Sequence, residues 1–284
     1  MNTESDAELI AQTLAGSKEA LEQLIKQHQP YIYNIALSFT ADPHDAADLM
    51  QEVLIKMITR LESFKGQSAF RTWLYRIVKN HFLNMQRGRQ EDPNLTFDVF
   101  GAGLDQTPDE DIGSYGYKAE AALLVEEAKI SCMKGMLLCL DREQRLVYIL
   151  GELFEFPDTV GASVMEVSRE NFRVKLHRAK KQLYSFMNAK CGLVNKSNPC
   201  RCARKTAGFI RAGYVDPDKR HFQANRVSSI QQAVGKKLAD YTGDIQQQYQ
   251  RLYQEHPFLQ SPQALQQVRE LLDSEVVRRT FDLN

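Results

Sequence analysis

No stretch of the sequence reaches the roughly 18 consecutive apolar residues that a membrane-spanning helix needs, so membrane insertion is not expected. The opening Met1–Ile10 has neither a basic flank nor an apolar core, so no leader peptide is expected and the expected address is cytoplasmic. A paired cysteine framework is missing as well. Cys132, Cys139, Cys191, Cys200 and Cys202 are an odd set of 5, which points to reduced thiols or metal ligands rather than disulfides. Sustained strand-type alternation is also absent, and helical periodicity dominates, so the expected fold is all-α. Nor is there a cofactor loop or a positioned acid/base pair, and no enzymatic activity is expected.

Net charge is absent too, with 36 basic and 36 acidic residues, yet the charges are sorted along the chain. Lys65, Arg71, Arg76, Lys79, Arg87 and Arg89 follow one another without a carboxylate. From Glu91 to Glu127 acidic residues face Lys118 alone, and the chain turns basic again from Arg169 to Lys181. Two basic blocks around an acidic stretch suggest two polyanion-binding surfaces tied by a segment that DNA would repel.

The caps are legible. Helices are expected from Asp6 and from Ser17, and a third has Asp42 as N-cap, Pro43 at its first position and Asp45 in its first turn. Its apolar stripe runs Ala46, Leu49, Met50, Val53, Leu54, Met57, Ile58 and Leu61, opposite Asp45, Asp48, Gln51, Glu52 and Lys56. Ser68 is the expected cap of a fourth helix, with Phe70, Trp73, Leu74, Ile77, Val78, Phe82 and Met85 inward. A helix around Arg142–Leu153 and a basic helix from Asn171 to Met187, preceded by Ser168 as cap, give the pattern of a helix-turn-helix. Expected divisions fall at 1–90, a flexible acidic linker over 91–118, a second helical unit over 119–190, a Cys/basic segment over 191–220 and a helical extension over 221–284.

The run Asp45-Ala46-Ala47-Asp48-Leu49-Met50-Gln51-Glu52-Val53, followed by Phe64-Lys65-Gly66-Gln67-Ser68-Ala69-Phe70-Arg71-Thr72-Trp73-Leu74-Tyr75-Arg76-Ile77, resembles region 2 of extracytoplasmic-function (ECF) sigma factors. Leu140-Asp141-Arg142-Glu143-Gln144-Arg145 and Leu176-His177-Arg178-Ala179-Lys180-Lys181-Gln182-Leu183 look like region 4, although Asp158 to Glu170 departs from the usual sequence around the turn. The resemblance implies a non-enzymatic subunit that binds core RNA polymerase, carries it to promoter DNA and helps open it, with an anti-sigma protein as a further partner and no required cofactor. Core binding is then expected at Asp45, Asp48, Gln51 and Glu52. Contacts to the minus-ten element are expected from Phe64, Lys65, Gln67, Ser68, Arg71, Arg76, Lys79 and Asn80, with Phe64 equally readable as core and Trp73 read as core. Contacts to the minus-thirty-five element are expected from Arg169, Arg173, Lys175, His177, Arg178 and Lys181. A helix-turn-helix regulator outside the polymerase, or a thiol-dependent protein, are the competing expectations.

Cys191, Cys200 and Cys202 follow the basic helix. Thiols this close suit zinc or copper, with His177 or His221 as a fourth ligand, or redox chemistry, or a purely structural turn. Cys132 and Cys139, among Met136, Leu137, Leu138 and Leu140, read as core thiols.

Overall fold

The computed structural model describes residues 5–85, 92–117 and 119–218, with 270 and 274. The expected helices of 221–284, His221, and Arg87, Arg89, Glu91 and Lys118 lie outside the described residues. Among the described residues no helix is long and apolar enough to cross a membrane, and the elements are helical.

The first unit is α1 (Asp6–Leu14), α2 (Lys18–Thr40), α3 (Pro43–Thr59) and α4 (Phe70–Asn84). Three of the four starts follow from local chemistry. The Ser5 and Ser17 hydroxyls and the Asp42 carboxylate accept from amides of the first helical turns, which have no partner within the helix. The fourth start departs from expectation. Ala69, not Ser68, is the N-cap of α4 and supplies no side-chain bond, because the Ser68 hydroxyl donates 3.3 Å to the Ala69 carbonyl instead of accepting.

The segment after α4 is more ordered than its composition indicates. It contains α5 (Phe97–Gln106), capped by Thr96, and a 3-10 turn at Ile112–Tyr115. Phe97 and Phe100 anchor α5 by packing on Phe186, with ring centroids 5.3 and 5.8 Å away. Its carboxylates are paired: Asp105 with Lys190 and Glu110 with Arg211, while Asp109 lies 3.0 Å from Lys205 and 3.6 Å from Arg204.

The second unit is α6 (Ala121–Leu138), α7 (Arg142–Tyr148) continuing into a π turn at Ile149–Leu153, α8 (Asp158–Met165) and α9 (Arg169–Lys190). Ser168 caps α9 as expected, and Glu166 takes the left-handed conformation (φ 57°) that reverses the chain between α8 and α9. Gly161 lies directly under the Phe172 ring, where a Cβ would collide, so the close approach of α8 to α9 requires glycine. Phe172, Ala179 and Leu183 are buried, as the periodicity indicates, and Leu176 is partly buried. A last helix, α10 (Cys202–Arg211), packs on α6.

One hydrophobic core runs through α1–α4 and continues into α6–α9, and a smaller one joins Leu104, Ile112, Leu124, Ala128, Phe209 and Val215. The two units meet around Arg145, which is 3% exposed. Its guanidinium donates to Phe39 O (2.9 Å) in the last turn of α2, to Leu137 O (3.0 Å) and Leu138 O (3.3 Å) at the end of α6, and to Leu140 O (3.1 Å). One cation thus serves carbonyls that two helix C-termini leave unpaired, where the helix dipoles favour positive charge. Arg145→Met keeps apolar bulk but strands these acceptors, so it should lower stability by about 3 kcal/mol. A fall in the urea midpoint at unchanged slope checks this, and an unchanged midpoint contradicts it.

Candidate nucleic-acid and polymerase interfaces

α3 is two-sided. Leu49, Met50, Val53, Leu54 and Met57 are buried in the core, whereas Asp48 and Glu52 stand exposed, with Asp45 and Gln51 half-buried beside them. Asp45, Asp48 and Glu52 follow at three- and four-residue spacing and form one acidic stripe. One turn on, the Lys56 ammonium meets Nδ1 of His81 on α4. Burial, then the Lys56 charge, hold the His81 pKa below its ordinary value against the opposing pull of Glu52, which keeps the imidazole neutral and able to accept from Lys56. The four residues expected to meet the polymerase are therefore brought together on one edge.

The residues assigned to minus-ten DNA divide into two groups. Phe64 is half-buried against Phe70 and Trp73, at centroid distances of 5.3 and 5.6 Å, and Trp73 stacks on Phe70 at 5.4 Å. Both rings thus belong to an aromatic cluster at the edge of the core, next to a sharp turn that Gly66 makes possible at φ 68°. Lys65, Gln67, Arg71 and Asn80 are exposed, and Ser68 is half-buried. Arg71 lies over the Tyr31 ring at 4.7 Å.

Arg76 and Lys79 form the second group, and neither faces open solvent. Arg76 donates through Nε to Ser163 O (2.9 Å) and through Nη2 to the Ser163 hydroxyl (2.6 Å) on α8. Lys79, only 6% exposed, is ion-paired with Glu166 in the turn that follows. The Lys79 hydrogen bond, outweighing a small opposing effect of burial, holds the Glu166 carboxyl below its ordinary value. Tyr75 completes this contact by packing on Phe156 at 4.9 Å. These partners lie 87 residues away along the chain, so no local pattern announces them.

On α9, Arg169 and Arg173 converge on Asp158, the first residue of α8, and Lys175 reaches Glu143 at 2.8 Å. Burial favours the neutral form of Asp158, yet Arg173 and Arg169 together keep its pKa below the ordinary value. His177, Arg178 and Lys181 stand exposed, and Arg178 and Lys181 have no ion pair among the described residues. Val174, one turn before them, is 46% exposed. A basic, open helix face following a tight turn is the arrangement that enters a DNA major groove.

The cysteine loop closes the second unit. Cys191 caps α9 and forms an isolated parallel bridge with Cys200, and Cys202 begins α10. His177 is exposed on α9, fourteen residues before Cys191, hence about 20 Å from it along the axis. That separation removes it as a fourth ligand to these thiols.

The profile of Sigma-70 region 2 matches residues 24–91, which cover most of α2 and all of α3 and α4. RNA polymerase sigma factor YlaC of Bacillus subtilis is 30% identical over 170 residues, 60% of this chain and 93% of that protein. ECF RNA polymerase sigma factor SigW of the same organism is 25% identical over 179 residues, 61% of this chain and 92% of that protein. RNA polymerase sigma-H factor of Pseudomonas aeruginosa is 37% identical over 100 residues, 34% of this chain, and the match spans about half (51%) of its length. The solved structure of CnrH in complex with the cytosolic domain of CnrY aligns at a TM-score of 0.47 and 21% identity, over 65% of this chain and 98% of that one. A region 2 match over the two-sided α3 and the basic α4, and a 30%-identical relative covered almost end to end, establish the family: this chain belongs to the ECF sigma factors, which direct RNA polymerase to promoters.

Proposed function

We propose a division of labour along the chain. The acidic edge of α3 (Asp45, Asp48, Gln51, Glu52) docks on core polymerase. The turn at 64–68 and the outer face of α4 hold the unpaired minus-ten strand. The face of α9 with Arg169, Arg173, Lys175, His177, Arg178 and Lys181 lies on the minus-thirty-five element. The observation that carries this reading is the two-sidedness of α3 and α4, whose buried stripes leave carboxylates on one edge and cations with an aromatic cluster on the other. Carboxylates suit a basic protein partner, and cations beside aromatic rings suit a single strand with unstacked bases.

The α4–α8 contact then belongs to an idle form. Arg76 and Lys79 are engaged by Ser163 and Glu166, so promoter binding through them requires α8 to leave α4. Docking on core polymerase is the proposed trigger. An anti-sigma protein is a further proposed partner, and the α3 edge is what it would have to cover to block docking. A polymerase subunit works where the chromosome is, so the proposed address is the cytoplasm.

The direct test is run-off transcription with purified core polymerase. Asp48→Lys and Glu52→Lys together should weaken core binding on the order of tenfold or more without loss of helicity, since both side chains are exposed. Unchanged affinity in a pull-down titration contradicts the assignment of α3. Arg178→Ala should weaken upstream footprinting and lower the salt dependence of promoter binding, because a phosphate or base contact is lost. An intact upstream footprint contradicts the role of α9.

The idle form has its own test. Glu166→Lys sets a cation against Lys79 and Arg76 and should loosen α8 from α4, which hydrogen exchange reads as weaker amide protection in α8. The same variant should bind minus-ten single-stranded DNA on the order of tenfold more tightly than the wild-type chain in the absence of core polymerase. Equal affinity and equal amide protection contradict the idle form while leaving the site assignments standing.

A further inference from the structure

The loop after α9 is built to gather sulfur. The Cys191 N–H donates to Met187 O (2.8 Å), ending the helix, and its carbonyl accepts from the Asn195 N–H (3.0 Å) and the Asn198 side-chain amide (3.3 Å). Asn195 and Asn198 also reach back to the Asn188 carbonyl, at 3.3 and 2.8 Å. The loop therefore folds onto the helix end it has just left. Arg201 fastens the returning strand from within, donating to Cys200 O (3.0 Å) and Lys196 O (2.9 Å). The two passes are so close that a Cβ at Gly192 would collide with the Cys200 carbonyl and the Arg201 guanidinium.

The result is a Cys191–Cys200 bridge with Cys202 one step on, at the start of α10. α10 packs along α6, and α6 carries Cys132, which lies at the seam of both hydrophobic clusters. Cys132 therefore packs toward the cluster that α10 joins, and not only into the larger core as its neighbours in sequence suggest. After burial, the groups that push its thiol pKa up are Cys202, Cys191 and Cys200, then Cys139. Burial, Cys191 and Cys200 likewise push the Cys202 thiol up to about 12. Cysteines from three places in the sequence thus act electrostatically on one another, and all are free of disulfides.

We propose that Cys132, Cys191, Cys200 and Cys202 form a structural tetrathiolate zinc site that clasps the C-terminal end of α9 to α6 and α10. Without a cation, four thiolates gathered in one place would repel one another. A divalent cation inverts this balance: four thiol protons leave for solvent and four thiolates take the places that mutual repulsion had denied them. Four sulfur ligands suit tetrahedral zinc. The bound centre would have a net charge of −2, and Lys129, Lys205 and Arg201 stand near enough to act on these thiols and offset it. Among the described residues no three His, Cys, Asp or Glu side chains already stand so that they could hold a metal ion, so the ion would have to draw the sulfurs together by side-chain rotation. A clasp here would also fix α10, whose Arg204, Lys205 and Arg211 hold Asp109 and Glu110 of the acidic segment.

The test uses the full chain purified without chelator. Elemental analysis of wild type and of Cys139→Ser should find about one equivalent of zinc, and Cys132→Ser should lower the affinity on the order of tenfold or more. Cobalt added to the metal-free wild-type chain should give the absorption of a tetrahedral tetrathiolate centre, and Cys132→Ser should lose it. A second measurement does not depend on any variant folding: alkylation of the native chain followed by mass spectrometry should find Cys132, Cys191, Cys200 and Cys202 protected together with zinc and exposed together after chelation. Less than about a tenth of an equivalent of zinc with no cobalt binding, copper in place of zinc, a Cys191–Cys200 disulfide, or Cys132 alkylated equally with and without zinc would each overturn the proposal.

Discussion

The packing of this molecule turns on one buried guanidinium. Taking Arg145 out of water costs several kcal/mol, which only dense hydrogen bonding can offset. It obtains that bonding by reaching the last turn of α2 on one side and the end of α6 on the other, with the Phe39 ring 4.9 Å beneath it. The two helix ends need the cation as much as it needs them, since their terminal carbonyls would otherwise be buried without donors. Once Phe39 O and Leu137 O share a donor, the end of α2 and the start of α7 cannot move independently. Arg142, three residues earlier, adds bonds to Phe82 O (3.1 Å) and Met85 O (2.7 Å) at the end of α4. The placement of α8 against α4, and with it the engagement of Arg76 and Lys79, follows from this junction.

Charge sorting acquires a physical meaning in the folded chain. The acidic segment is matched to the cations at the end of α9 and on α10, so blocks of one sign are neutralised locally within a chain of net charge +0. A similar economy holds around α9, where Asp158, Glu143 and Glu152 occupy Arg169, Arg173, Lys175 and Lys180. Each of those carboxylates competes with DNA phosphate for the same cation, so the basic helix is less sticky than its composition suggests. Arg178 and Lys181, outside this pairing, remain the cations most open to a polyanion.

What was legible in the sequence was whatever local chemistry controls. Ser17, Asp42 and Ser168 cap helices because a hydroxyl or carboxylate can reach an amide two or three residues away, and the apolar stripe of α3 is buried because 3.6-residue periodicity puts it on one side. Ser68 failed as a cap because Ala69 took the extended conformation before α4, leaving the hydroxyl pointed at a carbonyl. α5 was illegible because its helix contains Gly101 and Gly103 and owes its place to Phe97 and Phe100 on Phe186, a contact made 86 or more positions away. The same limit hid Ser163 and Glu166 from the reading of Arg76 and Lys79, and hid Cys132 from the loop thiols. Periodicity ranks a residue as inward but does not say which distant segment it meets.

The contact between α4 and α8 sets an energy scale for the idle form. The Lys79–Glu166 pair has a carboxylate side chain 58% exposed to water, which confines it to about 1 kcal/mol or less. The two Arg76 bonds to Ser163 add about 1–2 kcal/mol. These polar bonds come to about 2–3 kcal/mol, and the packing of Tyr75 on Phe156 adds to them, so roughly 1% of molecules or fewer are open at this contact. Promoter DNA alone, binding only the open form, would see its affinity reduced on the order of a hundredfold or more. A micromolar or tighter complex with core polymerase is worth about 8 kcal/mol or more and exceeds that cost easily. A latch of this size is thus weak enough for the proper partner to open and strong enough to discourage DNA from binding before the polymerase does, and both depend on Lys79 and Arg76 being cations that either Glu166 and Ser163 or a nucleic-acid backbone can satisfy, but not at once.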